Sequence, residues 1–124
     1  MLRGLAGVVV LPGILAACTT DRSGQVTVSG TVPASQVPVG AARVVDVSGA
    51  RVVLAQPAAG DFVAFSASCT HAGTPVVAKD GMRLVCPNHG SEFDASDGSV
   101  QRGPAKQALA TVPVQQDGND LVLG

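Results

Sequence analysis

The segments CTHAGT at residues 69–74 and CPNHGS at residues 86–91 concentrate the reactive side chains of this 124-residue sequence. Each segment offers one thiol and one imidazole, spaced as Cys-X-His in the first and Cys-X-X-His in the second. Together they contain both histidines and two of the three cysteines of the chain. Thiolates and imidazoles are ligands that zinc and iron accept. The sequence therefore predicts a metal site whose ligands are Cys69, His71, Cys86 and His89.

Two other interpretations of these cysteines need to be weighed. In an exported protein two free cysteines usually pair, so Cys69 and Cys86 could form a disulfide. A disulfide, however, gives no reason for a histidine two or three residues after each cysteine. A structural Cys2His2 zinc module usually groups its cysteines on one side of the spacer and its histidines on the other. Here each segment mixes one of each, which favours a cluster of two metals over a single tetrahedral ion.

The rest of the sequence predicts an all-β fold built from antiparallel strands. Short apolar, mostly Val-rich runs bounded by turn residues predict strands at residues 42–47, 50–55, 61–67, 75–78, 82–85, 92–94, 107–115 and 120–123. A Ser48-Gly49 turn joins the first two strands into a hairpin, and a turn at residues 79–81 joins a second hairpin. This second hairpin separates the two thiol–imidazole segments and would return them to one end. No stretch after residue 35 has sustained helical periodicity.

The amino terminus has the pattern of an export signal. A short basic start is followed by an apolar stretch at residues 5–17, which is too short to span a bilayer comfortably. The four residues ending in Cys18 resemble a bacterial lipobox, which implies lipidation of Cys18 after removal of residues 1–17 as a signal peptide. Residues 18–36 are then predicted to be a flexible tether. This arrangement would anchor the protein to the outer face of the bacterial cytoplasmic membrane.

The two thiol–imidazole segments resemble the ligand boxes of Rieske [2Fe–2S] proteins. Residues 92–94, the turn at residues 97–98 and Gly103-Pro104-Ala105 are similar to that family in order and spacing, and the resemblance covers residues 37–124. It implies a Rieske-type antiparallel β-sandwich with an inserted rubredoxin-like cluster-binding subdomain. It also implies one [2Fe–2S] cluster with two cysteine ligands on the buried iron and two histidine ligands on the outer iron, namely Cys69, Cys86, His71 and His89.

The resemblance also implies roles for residues around the cluster. Ser91 matches the position whose hydroxyl donates a hydrogen bond to a bridging sulfide. Gly73 and Gly90 would permit tight loop backbones near the sulfides, and Pro104 matches a loop that covers the cluster. Two features of high-potential members are missing, because the sequence contains no Tyr and the positions of their disulfide are occupied by Thr74 and Asn88. The resemblance therefore implies an intermediate reduction potential.

The function that the resemblance implies is one-electron transfer by a carrier or an oxidoreductase subunit, not stand-alone catalysis. A redox protein or a quinol-oxidising complex would dock at the exposed edge formed by His71 and His89. One alternative is the Rieske subunit of a cytochrome bc-type complex. The alternative from another class is the structural Cys2His2 zinc-binding module. A formal net charge of −1 and the lack of basic runs give no basis for nucleic-acid binding.

Overall fold

A computed structural model describes residues 24–124, which form ten strands and one short 3₁₀ turn, η1 (Ala34–Gln36). The strands are β1 (Gly30–Pro33), β2 (Ala42–Val47), β3 (Ala50–Ala58), β4 (Asp61–Ser66), β5 (Val77–Ala78), β6 (Arg83–Val85), β7 (Glu92–Asp94), β8 (Val100–Arg102), β9 (Val114–Asp117) and β10 (Asp120–Leu123). Every pairing between these strands is antiparallel. The predicted all-β, antiparallel class is confirmed.

Two three-stranded sheets form the base of the fold, in the orders β1-β10-β9 and β2-β3-β4. A core of small aliphatic side chains draws residues from both sheets. Its buried members are Val28, Val32, Val37, Val47, Val52, Leu54, Ala64, Val112, Leu121 and Leu123. Burial of this apolar surface is the main favourable contribution to folding, and it ties the amino-terminal and carboxyl-terminal strands to the central sheet.

Strand β3 is buried on both faces. Val52 and Leu54 belong to the core of the base, whereas Val53 and Ala55 belong to a second core beneath the metal-binding segments. Successive side chains of a strand point to opposite faces, so this alternation is the direct consequence of the pleat. A strand covered on both sides is expected to be continuously apolar, and residues 52–55 are Val-Val-Leu-Ala. One strand therefore connects the base to the region that carries the candidate site.

That region is a four-stranded sheet, β5-β6-β7-β8, inserted between β4 and β9. The chain leaves and re-enters the base at adjacent points. The Ser66 N–H donates to the Ala110 carbonyl at 2.8 Å, and the Val112 N–H donates to the Ala64 carbonyl at 2.9 Å. The insertion is therefore a separate lobe that emerges from one edge of the base. Both thiol–imidazole segments lie within it.

Both hairpins that the sequence predicts are present. Strands β2 and β3 pair from Ala42↔Ala55 to Val47↔Ala50, across the Ser48-Gly49 turn. Strands β5 and β6 pair across residues 79–82. The predicted strand at residues 107–115 is largely wrong, because regular pairing starts only at Val114, and before it Thr111 alone makes isolated bridges. Strand β8 was not predicted.

The predicted tether at residues 18–36 and the domain start at residue 37 differ from the structure. Strand β1 lies within that range and pairs with β10, from Gly30↔Leu123 to Pro33↔Asp120. Val28 and Val32 are buried in the core of the base, so the ordered domain begins before residue 30. The predicted signal peptide at residues 1–17 and Cys18 lie outside the described residues. Within the described part of the chain, no helix has the length and apolarity needed to cross a membrane.

Candidate metal centre

The first thiol–imidazole segment is a tight loop closed by two backbone hydrogen bonds. The Cys69 N–H donates to the Thr74 carbonyl at 2.9 Å, and the Gly73 N–H donates to the Cys69 carbonyl at 2.7 Å. Gly73 has a φ of +79°, a left-handed conformation that glycine adopts without steric cost. The loop begins at Cys69, shortly after β4 ends at Ser66, and this position places Cys69 at the edge of the second core. Cys69 is only 2% exposed.

The second segment repeats this loop with the same spacing. The Cys86 N–H donates to the Ser91 carbonyl at 2.8 Å, and the Gly90 N–H donates to the Cys86 carbonyl at 3.0 Å. Gly90 has a φ of +82°, and Cys86 is 2% exposed. In both loops the glycine follows the cysteine by four positions, and the residue whose carbonyl accepts the cysteine N–H follows by five. The two loops therefore have one geometry, although their histidines occupy different positions within it.

The structure places the two histidines together and on the outside. The rings of His71 and His89 lie with their centroids 5.0 Å apart and their planes at 82°. Both histidines are exposed, while both cysteines are buried. Two thiols therefore face inward and two imidazoles lie at the surface. This separation of inner and outer ligands is the arrangement that the sequence predicts, and the assignment of the four residues as ligands stays a prediction.

A third segment, residues 103–107, braces both loops. The buried Ser91 hydroxyl oxygen accepts a hydrogen bond from the Ala105 N–H at 3.0 Å. The Thr70 hydroxyl donates to the Gln107 carbonyl at 2.6 Å. Pro104, which follows a cis peptide bond and is exposed, lies in the same segment. Ala105 and Gln107 of one segment are thus joined to different ligand loops. These contacts could not be expected from sequence patterns, because the partners are far apart in the chain.

The Ser91 hydroxyl still has a proton to donate. A hydroxyl has one donor and two acceptor sites, and the Ala105 N–H uses one acceptor site. No acceptor for the hydroxyl proton is present among the protein groups of residues 24–124 that hydrogen-bond to it. A buried donor without a partner is costly, so a sulfide of a bound cluster would be a suitable acceptor. This geometry supports the predicted role of Ser91 without testing it.

An ion-pair cluster lies on the strands beneath the second loop. The Arg83 guanidinium binds the Glu92 carboxylate through two hydrogen bonds of 3.0 Å each. Arg102 approaches the same carboxylate at 3.9 Å. The hydrogen bond from Arg83 holds the pKa of Glu92 below its usual value, and the same bond raises the pKa of Arg83. The carboxylate is therefore compensated by its neighbours and adds little negative charge to the surface around the histidines.

The donor set fits a two-iron cluster better than a single ion. Cys69 and Cys86 are buried as free thiols, so the two cysteines do not form the disulfide considered above. Among residues 24–124, no group of three or more His, Cys, Asp or Glu side chains is arranged to hold one metal ion. A structural zinc ion takes four ligands around one centre. A [2Fe–2S] cluster with two protein ligands on each iron needs only two pairs, one inner and one outer, and the loops present such pairs.

The comparison with protein families agrees with this geometry. The model of the Rieske [2Fe–2S] domain matches residues 28–113 of the chain. The chain belongs to the Rieske [2Fe–2S] domain family. A Rieske domain is an electron-transfer domain that binds one [2Fe–2S] cluster, so the predicted family, fold and cofactor are confirmed, and the zinc-module alternative finds no support. The match begins at Val28, which is buried in the core of the base.

Known Rieske proteins share the central part of this chain. The cytochrome bc1 complex Rieske iron–sulfur subunit of Corynebacterium diphtheriae is 41% identical over 61 residues, which are 47% of this chain and 15% of that subunit. The cytochrome b6-f complex iron–sulfur subunit of Prochlorococcus marinus is 37% identical over 73 residues, which are 58% of this chain and 40% of that subunit. The matched region is thus less than half the length of either relative.

A solved structure gives the same fold. The cyanobacterial plasma membrane Rieske protein from Synechocystis superposes with a TM-score of 0.58 at 32% identity, covering 65% of this chain and 83% of that one. The Rieske-type sandwich with an inserted subdomain, which the sequence predicts, is confirmed. Sequence patterns did not predict the bracing contacts of Thr70, Ala105 and Gln107, through which residues 103–107 join the two loops.

Proposed function

We propose that this Rieske protein is a one-electron carrier tethered to the outer face of the bacterial cytoplasmic membrane. The observation that carries the proposal is the exposure of His71 and His89 at one tip above the two buried cysteines. A partner that docks on this tip comes close to the cluster without any rearrangement of the base. The export signal at residues 1–17 and the lipobox-like Cys18 support the membrane attachment.

Each group of residues has a defined task in this proposal. Buried Cys69 and Cys86 would hold one iron away from water, while exposed His71 and His89 would hold the other at the surface. The bound cluster supplies the capacity to accept and release one electron at a time. Neutral imidazoles in place of two thiolates leave the centre less negative, so addition of an electron costs less free energy and the potential is higher than in all-cysteine clusters.

The potential is proposed to be intermediate within the Rieske range, which runs from about −150 to +300 mV. Ser91 supplies one hydrogen bond that stabilises the reduced state. Thr74 and Asn88 cannot form a disulfide between the loops, and the chain has no Tyr to donate a further hydrogen bond. The loops are held by the contacts of residues 103–107, not by a covalent link.

An EPR-monitored redox titration of the full chain tests the carrier function and its potential. We expect a one-electron Rieske signal in the reduced protein and a midpoint well below the upper end of the range. A purified protein that contains no iron, is colourless and gives no EPR signal would refute the proposal. A midpoint near +300 mV would contradict the intermediate potential alone. For the tether, Cys18→Ser is expected to release the protein from the membrane fraction, and retention of this variant would contradict lipid anchoring.

A second candidate function is that of the Rieske subunit in a cytochrome bc-type quinol-oxidising complex. The observation that favours it is the similarity to subunits of the bc1 and b6-f complexes. The two functions differ in whether the protein is bound to other subunits in the membrane. Mild solubilisation followed by native gel electrophoresis is expected to give the free protein for a carrier. Co-migration with haem-containing subunits would establish the complex instead.

A further inference from the structure

The surface around the two histidines is cationic. We define the histidine rim as the three segments 70–74, 87–91 and 102–107, which the hydrogen bonds of Thr70 and Ser91 hold together. Apart from the two histidines, the charged or titratable residues of these segments are Arg102 and Lys106, and the segments contain no Asp or Glu. The remaining residues are small, apolar or neutral.

Lys106 occupies a central place in the rim. It lies between Ala105, which contacts the second ligand loop, and Gln107, which contacts the first. Its side chain is exposed. No ion pair with Lys106 occurs among residues 24–124, where each salt bridge involves an arginine. Its positive charge is therefore not compensated by a neighbouring carboxylate.

Arg102 adds a second positive charge at the edge of the rim. Its side chain is 72% exposed and lies 3.9 Å from Glu92, a separation at the limit of an ion pair. Glu92 is already engaged by Arg83 through two shorter hydrogen bonds. The charges of Glu92 and Arg83 cancel locally. The Asp80 carboxylate, 4.0 Å from Arg83 on the β5–β6 turn, has Lys79 beside it in the chain, so Arg102 is the positive charge left over among these five residues. The rim itself therefore carries two positive charges, those of Arg102 and Lys106, and no carboxylate.

Several acidic side chains lie at the other end of the base. Asp61 begins β4, whereas the first ligand loop follows the end of this strand, about 17 Å away at the usual rise per residue. Asp120 lines a surface cavity together with Phe62 and Gln56, which places the β9–β10 turn at the same end. The end of the base far from the rim therefore carries acidic side chains, whereas the rim carries Arg102 and Lys106, although the formal net charge of the chain is −1.

We propose that the histidine rim docks on an acidic surface of the redox partner. This inference rests on the proposed carrier function and specifies the partner's chemistry. Opposite charges on two docking faces raise the encounter rate and orient the partners, and attraction of this kind is screened by salt. The cationic rim would hold the exposed histidines against the acidic face, while the acidic end of the base would disfavour inverted docking.

Small redox complexes of opposite charge can test the sign of the local field without knowledge of the partner. The full chain, with its cluster and in neutral detergent, is reduced and then mixed with ferricyanide or with tris(phenanthroline)cobalt(III) in a stopped-flow instrument. One electron leaves the reduced protein and converts Fe(III) to Fe(II), or Co(III) to Co(II). We expect the rate constant with ferricyanide to fall about tenfold between low and high ionic strength, and that with the cobalt complex to rise. The net charge of the chain predicts the opposite slopes.

Two variants with the same change in net charge complete the test. Lys106→Glu is expected to reverse both salt slopes, while Lys79→Glu, on the β5–β6 turn away from the rim, is expected to leave their signs unchanged. The inference would be overturned if the rate constants changed with ionic strength in the directions that the net charge predicts, or if the two variants changed these salt slopes equally. Either result would leave the carrier function intact. A chain that binds no cluster and passes no electron to either oxidant overturns the carrier function and the inference together.

Discussion

The replacement Ser91→Ala tests how the protein sets its potential. Ser91 is fully buried, accepts the Ala105 N–H at 3.0 Å and retains its hydroxyl proton. If that proton is donated to a sulfide of the cluster, the bond is stronger in the reduced state, in which the cluster carries more negative charge. Removal of the hydroxyl should then destabilise the reduced state more than the oxidised state. The midpoint potential of Ser91→Ala is expected to fall.

The structure allows the magnitude of this change to be worked out. Hydrogen bonds to charged groups contribute about 1.5–3 kcal/mol, which is an upper bound for the difference between the two redox states. For one electron, about 1.4 kcal/mol corresponds to about 59 mV, so the midpoint should fall by up to about 65–130 mV. The variant also leaves the N–H of buried Ala105 without a partner, which costs about 1–3 kcal/mol of folding free energy.

Redox titration and chemical unfolding separate these two effects. A matched control is Ser96→Ala, because this serine donates to Asp94 in the same lobe and makes no contact with the ligand loops. The control should keep the wild-type potential. A Ser91→Ala variant that loses folding stability but keeps its potential would show that the serine only braces the loop. That result would refute the reasoning that its proton reaches the cluster.

Three further changes test the ligands, the brace and the ion pair. Cys69→Ser is expected to abolish the iron content and visible absorbance of the purified protein, since an alcohol replaces an inner thiolate. Thr70→Val removes the hydrogen bond to the Gln107 carbonyl and should lower the unfolding free energy by about 0.5–1.5 kcal/mol in denaturant titrations. Arg83 holds the pKa of Glu92 in the folded protein below the pKa in the unfolded chain. The ionised Glu92 therefore stabilises the fold at pH values above the unfolded pKa, and this stabilisation is lost as the pH falls through the lowered folded pKa. The melting temperature of the wild type should therefore exceed that of Glu92→Gln at neutral pH, and the difference should vanish in acid. A difference in melting temperature that grows in acid would contradict the pairing.

The ligand loops and both hairpins were predictable because their signals are local. In each ligand loop the cysteine, the histidine and the glycine lie within one six-residue segment, and the hairpin turns are marked by Ser48-Gly49 and by residues 79–81. A strand at β1 could also have been predicted, because Val26, Val28 and Val32 alternate with polar residues and glycine at a period of two across residues 26–32. The polar composition of the same stretch favours a tether, and this conflict between composition and alternation explains why the tether prediction is wrong there.

The contacts that join distant segments could not be predicted from local patterns. Strand β1 pairs with β10 from Gly30↔Leu123, and no feature of either strand specifies the other. Strand β8 has only three half-exposed or exposed residues, so its sequence lacks a buried face. The hydrogen bond from Thr70 to Gln107 depends on the path of the chain through the whole inserted lobe. Such pairings follow from the packing of the two cores, not from propensity.

The brace formed by residues 103–107 connects the stability of the site with its docking surface. Thr74 and Asn88 leave the loops without a covalent link, and the hydrogen bonds of Ser91 and Thr70 reach the same segment two residues apart. Lys106, between these two contacts, therefore has its backbone fixed on both sides while its side chain remains exposed. A charge held in this way is presented to a partner at lower entropic cost than a charge on a free loop. The segment that closes the cluster site thus also positions the cation with which the rim is proposed to dock.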